Sequence, residues 1–248
     1  MKLPHAIVAG ASSGIGAATV LQFVSVGYRV SAVSRDRGRL KAMVLRLPAE
    51  LQSNVAIFAL DLSESSSVKS IKEIAGPDLK ALVVTVGSGA PNLIESLSDS
   101  LEASILVNVS PALNSWQGAS DALEASSGSA VFVSSIAAME DIGAPLEYSM
   151  AKATLAPLVR HLARKHAPVR VNLVVPGNVL TEHSIWQRRM IEDPKSLEIY
   201  LRGNVPLKRL ADSQEIARLI DYLSSDAASF ITGANFVIDG GQTRSFYV

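Results

Sequence analysis

The sequence predicts an α/β fold: a single doubly wound domain over residues 1–248, with a seven-stranded parallel sheet flanked by helices. Three observations carry this. Short apolar, β-branched runs alternate with longer helical patterns almost to the end of the chain. The runs are apolar on both faces, as parallel strands covered by helices on each side must be. At 248 residues, with 48% hydrophobic and 19% charged side chains, the chain has ample length for a core and is too apolar for disorder.

In chain order, a strand at 5–9 runs into Gly10-Ala11-Ser12-Ser13-Gly14-Ile15-Gly16, and a helix at 15–26 follows. Glycines permit the tight turn, let backbone approach a pyrophosphate and let helix pack closely on strand. The helix N-terminus then offers N–H groups and a partial positive charge to phosphates. Strand, glycine turn and helix in this order form a Rossmann-type dinucleotide site.

A strand at 29–33 comes next. An NAD site usually ends this strand on a carboxylate that bonds the ribose 2′-hydroxyl. Here Ser34-Arg35 stands instead, followed by Asp36, Arg37 and Arg39. A serine can hydrogen-bond a 2′-phosphate and an arginine can neutralise it, so NADP(H) is expected in preference to NAD(H). Asp36 would serve an NAD ribose if the strand ended one residue later, and the arginines also read as the solvated start of a helix. A helix at 37–47, a strand at 54–60 ending at Asp61-Leu62, a helix at 65–74 and a strand at 81–86 continue the alternation.

The next helix, at 98–124, carries Asn108 within Ile105-Leu106-Val107-Asn108-Val109. An amide buried there needs a backbone or water partner. The strand at 129–133 ends in Ser134-Ser135, at the carboxyl edge where open α/β sheets bind ligands. A hydroxyl there can donate to a carbonyl oxygen as negative charge develops on it. Taken singly, Ser135 and Asn108 read equally as a strand-end serine and a satisfied structural amide.

The helix at 148–166 opens with Tyr148-Ser-Met-Ala-Lys152, a phenol and an ammonium one turn apart on one face. A phenol titrates near ~10, and lowering it by roughly three units takes about 4 kcal/mol. One ammonium about 4 Å away, at an effective dielectric near ~20, supplies that much. Lys152 is therefore expected to acidify Tyr148. A strand at 170–175 leads to Pro176-Gly177, and a helix at 213–224 and a strand at 235–238 close the pattern. The polar, proline-containing stretch 182–205 departs from it and is expected to be a substrate loop or lid. Its Ile185, Trp186 and Met190 offer an apolar wall to a substrate or to a neighbouring subunit.

Composition excludes other classes. Lys+Arg and Asp+Glu are both 23, with no basic tract, so neither nucleic acid nor membrane is an expected partner. There is no cysteine, which rules out disulfides, thiolate zinc sites and cysteine nucleophiles. His5, His161, His166 and His183 show no ligand spacing, so no metal site is expected. With no signal peptide and no apolar run of bilayer length, a cytoplasmic protein is expected.

Together these residues resemble the short-chain dehydrogenase/reductase superfamily, in its branch of about 250 residues. Gly10-x3-Gly14-x-Gly16 matches the family's cofactor motif, with Ala9 where Thr is commoner. Asp61-Leu62 matches the acidic residue that contacts adenine. Asn108, Ser135, Tyr148 and Lys152 match the catalytic tetrad in order and spacing. Pro176-Gly177 follows the sixth strand as in the family, and Thr181, with Val179 before it, matches the nicotinamide side. Residues 206–210 and 239–241 look like its C-terminal markers.

The resemblance implies hydride transfer between a nicotinamide and a small-molecule carbonyl or secondary alcohol, with Tyr148 as general acid/base. It further implies that Ser135 orients the substrate oxygen, that Asn108 holds a water relaying protons through Lys152, and that the protein is a homo-oligomer, tetramer or dimer. Two alternatives stand beside this reading: a 3-oxoacyl-[acyl-carrier-protein] reductase in the same family, and a non-catalytic NADP(H)-binding sensor. One departure is plain. Val84-Thr85-Val86-Gly87 replaces the family's Asn-Asn-Ala-Gly, and Thr85 is expected to supply one hydrogen bond where the family uses an amide.

Overall fold

Parallel strands need crossovers, and the chain supplies helices for them. In the computed structural model, which describes residues 3–89, 96–182 and 184–244, the order is β1 (His5–Ala9), α1 (Gly14–Ser25), β2 (Arg29–Ser34), α2 (Arg37–Leu45), α3 (Ala49–Gln52), β3 (Val55–Ala59), α4 (Ser67–Ala75) and β4 (Leu79–Val84). There follow α5 (Leu97–Asn108), α6 (Ser110–Ser126), β5 (Ser129–Val133), α7 (Leu146–Ala153), α8 (Leu155–Lys165), β6 (Arg170–Pro176) and β7 (Val179–Leu180). The chain then forms α9 (Ile185–Glu192), α10 (Pro194–Asn204), β8 (Ala211–Asp212), α11 (Ser213–Ser224) and β9 (Asn235–Ile238). His183, one of the four histidines, lies outside the described residues.

The seven long strands make one parallel sheet in the order β3-β2-β1-β4-β5-β6-β9. The chain reverses direction across the sheet between β1 and β4, and ligands of doubly wound sheets bind at the carboxyl edge of such a switch point. Register brings the functional ends together there: Ala9 pairs with Val33 and Val84, and Val84 with Phe132. Alternating side chains feed two core layers. Ile7, Leu82, Phe132 and Leu173 pack on one face with Ile71, Leu123 and Val159. Val8, Val83, Val131 and Val174 pack on the other with Phe23, Ile216 and Ile220.

The expected strands are all present, with shifted ends. The fourth occupies Leu79–Val84, so Thr85 and Val86 leave the ladder just where the site begins. Two expected long helices are broken. The 98–124 helix divides at Val109, with Pro111 in the first turn of α6; proline lacks an N–H and crowds the preceding turn. The 148–166 helix divides at Thr154, whose hydroxyl turns back to the Ala151 carbonyl at 2.7 Å. The 37–47 helix stops at Leu45, ahead of Pro48. The two-residue pairing of β7 with β8 had no sequence signal. The 182–205 stretch folds as α9 and α10 around a small cluster of Leu197, Leu201, Val205 and Leu210. Among the described residues no helix is long and apolar enough to cross a membrane, and no three His, Asp or Glu side chains gather as metal ligands.

Candidate active site

The glycine turn is shaped by contacts that no side chain could survive. Gly10 and Gly14 hold φ of 87° and 54°, the left-handed region that favours glycine. A Cβ on Gly16 would lie 2.1 Å from the Gly10 carbonyl oxygen, so α1 presses directly on the end of β1. Ser13 sits at the N-cap of α1 in extended conformation, and its side chain makes no cap bond. The helix N-terminus thus remains open toward an anion. Thr85 meets its expectation: its hydroxyl donates to the Ala9 carbonyl at 2.9 Å and ties β4 to β1 behind the turn.

β2 runs to Ser34, one residue beyond the expected end, which is the condition under which Asp36 would have served an NAD ribose. Asp36 is otherwise engaged. It caps α2 by accepting the Arg39 N–H at 3.0 Å. The Ser34 hydroxyl donates to Ser12 Oγ at 2.9 Å, so two hydroxyls meet where strand end and glycine turn converge. Arg35 is exposed. Asp61 accepts both the amide and the hydroxyl of Ser63, which hold its carboxyl below the usual range with a smaller contribution from Arg35. Leu62 is buried, and its carbonyl accepts from Asn114.

A cleft of about 380 Å³ opens beside the turn, bordered by Ser12, Ser13, Gly14, Arg39, Arg46 and Thr181. Across it Arg46 pairs with Glu182 at 2.6 Å. The Thr181 methyl lies 3.0 Å from where a Gly14 Cβ would be. Pro176 ends β6 opposite Ile238, Gly177 is pressed against Asp239, and Val179 is buried. Of the cofactor residues expected from the sequence, Ser12, Ser13, Gly14 and Thr181 border the cleft, Leu62 and Val179 are core residues, and a glycine cradle with an uncapped helix end fits a dinucleotide pyrophosphate.

The four expected catalytic residues also converge. Ser135, at the end of β5, accepts the Ala137 N–H at 3.2 Å, which leaves its own proton to donate. That hydroxyl meets Tyr148. Burial pushes the Tyr148 phenol above its ordinary value, and the Ser135 hydrogen bond draws it partway back. Lys152 is buried, and desolvation lowers its ammonium to about 8. Its Nζ donates to the carbonyls of Val133 at 3.1 Å and Val86 at 3.3 Å. The expectation that Lys152 by itself acidifies Tyr148 is thus not met by the protein's own groups. The one-turn spacing is as read, but the ammonium is directed at backbone carbonyls and the phenol is desolvated.

Asn108 is 1% exposed and fully engaged. Its Oδ1 accepts the Ser88 N–H at 3.0 Å, and its Nδ2 faces the Ser88 carbonyl, the Ser104 carbonyl and Ser104 Oγ at 3.0–3.2 Å. The amide therefore clasps the loop after β4. That loop passes over the catalytic groups: a Cβ on Gly87 would lie 2.6 Å from both Asn108 Oδ1 and Lys152 Nζ, and one on Gly89 would touch the Tyr148 ring at 3.7 Å. Sequence reasoning missed Ser88 and Gly89. Their glycine-rich surroundings, Gly87-Ser88-Gly89, were the available signal. It also missed Asn178, Tyr200 and Gln242, where the Tyr200 hydroxyl accepts from both amides at 3.1–3.2 Å and ties α10 to the sheet edge. Trp186, expected to face either substrate or a neighbouring subunit, stacks on Tyr200 with Arg189 over its ring, while Ile185 and Met190 remain exposed.

Comparison with known proteins agrees with this geometry. The family described as enoyl-(acyl carrier protein) reductase matches residues 10–243. Glucose 1-dehydrogenase of Gluconobacter oxydans (strain 621H) is 31% identical, over 96% of this chain and 91% of its own. Protein FixR of Bradyrhizobium diazoefficiens is 34% identical, over 95% and 85%. A crystal structure of an oxidoreductase of the short-chain dehydrogenase/reductase family from Burkholderia thailandensis superposes with a TM-score of 0.86 at 30% identity, covering 98% of this chain and 93% of that one. The chain belongs to the short-chain dehydrogenase/reductase family, whose members are nicotinamide-dependent oxidoreductases of alcohols and carbonyls.

Proposed function

We propose that this protein is an NADP(H)-dependent oxidoreductase of a small carbonyl or secondary alcohol, with Tyr148 as general acid/base. The arrangement that carries the reading is the buried Lys152 bonded to the Val133 and Val86 carbonyls, with Ser135 at the adjoining end of β5 and Tyr148 one turn earlier on α7, at the carboxyl edge of the sheet. The bound nicotinamide supplies the hydride or accepts it. The chain's residues do the rest. Ser135 donates its free proton to the substrate oxygen, and Tyr148 delivers the proton that completes reduction. Burial keeps Tyr148 protonated but makes it a weaker acid, so proton delivery would draw on the positive charge of Lys152 and of the oxidised nicotinamide. Lys152 would hold a cation near the developing phenolate and would bond the ribose hydroxyls of the cofactor. Asn108 acts by clasping the Ser88 peptide rather than by presenting a free amide to water.

Three features support NADP(H) over NAD(H): the paired Ser12 and Ser34 hydroxyls, the exposed Arg35, and the commitment of Asp36 to its helix. NADPH should bind more tightly than NADH, and Arg35→Ala should narrow the gap; equal affinities in the parent would refute this assignment. A homo-oligomer belongs to the same reading, since Ile105 and Leu106 on α5 and Leu113 on α6 are exposed apolar side chains. The test of the whole is Tyr148→Phe in a screen of ketones and alcohols followed by NADPH absorbance. Removing the acid should cost about 10²–10⁴-fold in turnover with NADPH binding retained. Full activity in that variant would end the proposal.

A further inference from the structure

Three consecutive residues at the end of β5 each hold one group of α7. The Val133 carbonyl accepts from Lys152 Nζ at 3.1 Å, Ser134 Oγ donates to the Lys152 main-chain carbonyl at 2.9 Å, and the Ser135 hydroxyl meets Tyr148. The function proposed above uses the first and the last. The middle bond has no part in that chemistry, yet it is as deeply buried as the first. Ser134 is 5% exposed and Lys152 4%. A hydroxyl and a carbonyl buried so deeply are costly if unpaired, so the bond constrains both segments.

Ser134 is itself fixed. Its amide donates to the Val174 carbonyl at 2.8 Å, which anchors it to β6. On the other side, Lys152 stands just before the break at Thr154, where α7 gives way to α8. A helix end at a break is free to shift its last turn, and a main-chain bond there fixes its height along the strand.

We propose that Ser134 is a positioning residue. Its hydrogen bond to the Lys152 carbonyl sets the last turn of α7 against β5, and so aims Nζ at the Val86 and Val133 carbonyls and places Tyr148, one turn earlier, against Ser135. Ser134 is buried with its hydroxyl proton committed to the Lys152 carbonyl, so it acts through α7. The inference rests on reading Tyr148 and Lys152 as the acid–base pair.

The test compares Ser134→Ala, Ser134→Thr and Tyr148→Phe in the full-length protein. Ser134→Ala should lower kcat for ketone reduction about three- to tenfold, the worth of one buried hydrogen bond. The ketone KM should stay unchanged, and the alkaline limb of the pH profile should move. Because Lys152 also faces the cofactor, the NADPH Kd, read by protein fluorescence without turnover, should rise about threefold. Ser134→Thr, which keeps the hydroxyl, should restore all three readings. Parental kcat, pH limb and NADPH Kd in Ser134→Ala would overturn the inference, as would a loss that threonine does not rescue. If Ser134→Ala behaves as the parent while Tyr148→Phe is inactive, the positioning role alone fails. If Tyr148→Phe keeps its activity, the underlying function fails with it.

Discussion

The end of β5 and the 182–205 stretch border the same carboxyl edge of the sheet, and they are held in opposite ways. The first grips α7 through buried hydrogen bonds from Val133 and Ser134, with Ser135 against Tyr148. The second packs α9 and α10 around a small cluster, which Leu210 joins from beyond the stretch, and a half-exposed stack of Trp186 on Tyr200. Its links outward include the Tyr200 hydroxyl with Asn178 and Gln242, Ser184 with Thr181 and the exposed pair Arg46–Glu182. Buried main-chain bonds fix distances to fractions of an ångström, whereas a small separate cluster lets a segment move as a unit. The groups at the end of β5 are therefore set by the scaffold, and the 182–205 stretch is separable from it.

The largest break of that contrast lies at the turn the scaffold is built around. Gly16→Ala would drive a methyl into the Gly10 carbonyl. It should weaken NADPH binding at least about tenfold and lower stability by roughly 1–3 kcal/mol, measured by fluorescence titration and thermal melting. Parental affinity would mean the turn does not carry the cofactor.

Next comes Lys152→Met, which should abolish turnover while stabilising the protein. Desolvation depresses the folded-state ammonium to about 8 from 10.5. Between those values the unfolded chain binds more protons, so parental stability rises with pH through that window and is lowest below it. Removing the charge should gain about 1–3 kcal/mol at pH 7 and less near pH 10, by urea unfolding. No gain at neutral pH would mean the ammonium is better compensated than the two carbonyls allow.

Smaller effects belong to the 182–205 stretch. Tyr200→Phe leaves the Asn178 and Gln242 amides without their shared acceptor and should cost about 1 kcal/mol, with protease sensitivity rising within 182–205. The catalytic rate with a small ketone should hardly change; a collapse in that rate would join the two regions that are here kept apart. Arg46→Ala removes an exposed ion pair and should stay within about 0.5 kcal/mol of the parent in stability.

The strands were legible because parallel strands buried on both faces leave unbroken apolar runs, as in 81–84 and 130–133. The glycine turn was legible because backbone crowding admits one residue type there. The four residues that converge at the site could be read from their kinds and order. The helix breaks at Val109 and Thr154 could not, since apolar periodicity carries straight across them and Pro111 fits the start of a new helix as well as the kink of an old one. Nor could the clasp of Asn108 on Ser88 or the bond from Ser134 to Lys152. Both end on backbone, and a backbone acceptor leaves no mark in sequence. The electrostatics failed for a related reason: helical spacing tells which side chains share a face, but not which carbonyl a lysine's head selects.

The account's central claim is that Tyr148 works as a proton donor with a charged Lys152 at its side. The most direct measurement is the pH dependence of ketone reduction and of alcohol oxidation at saturating cofactor, on one preparation. Reduction should be level through neutral pH and fall as pH rises past about 8, where Lys152 loses its proton, while oxidation should climb toward alkaline pH as Tyr148 ionises. A reductive rate that instead increases with pH across the same range would contradict it.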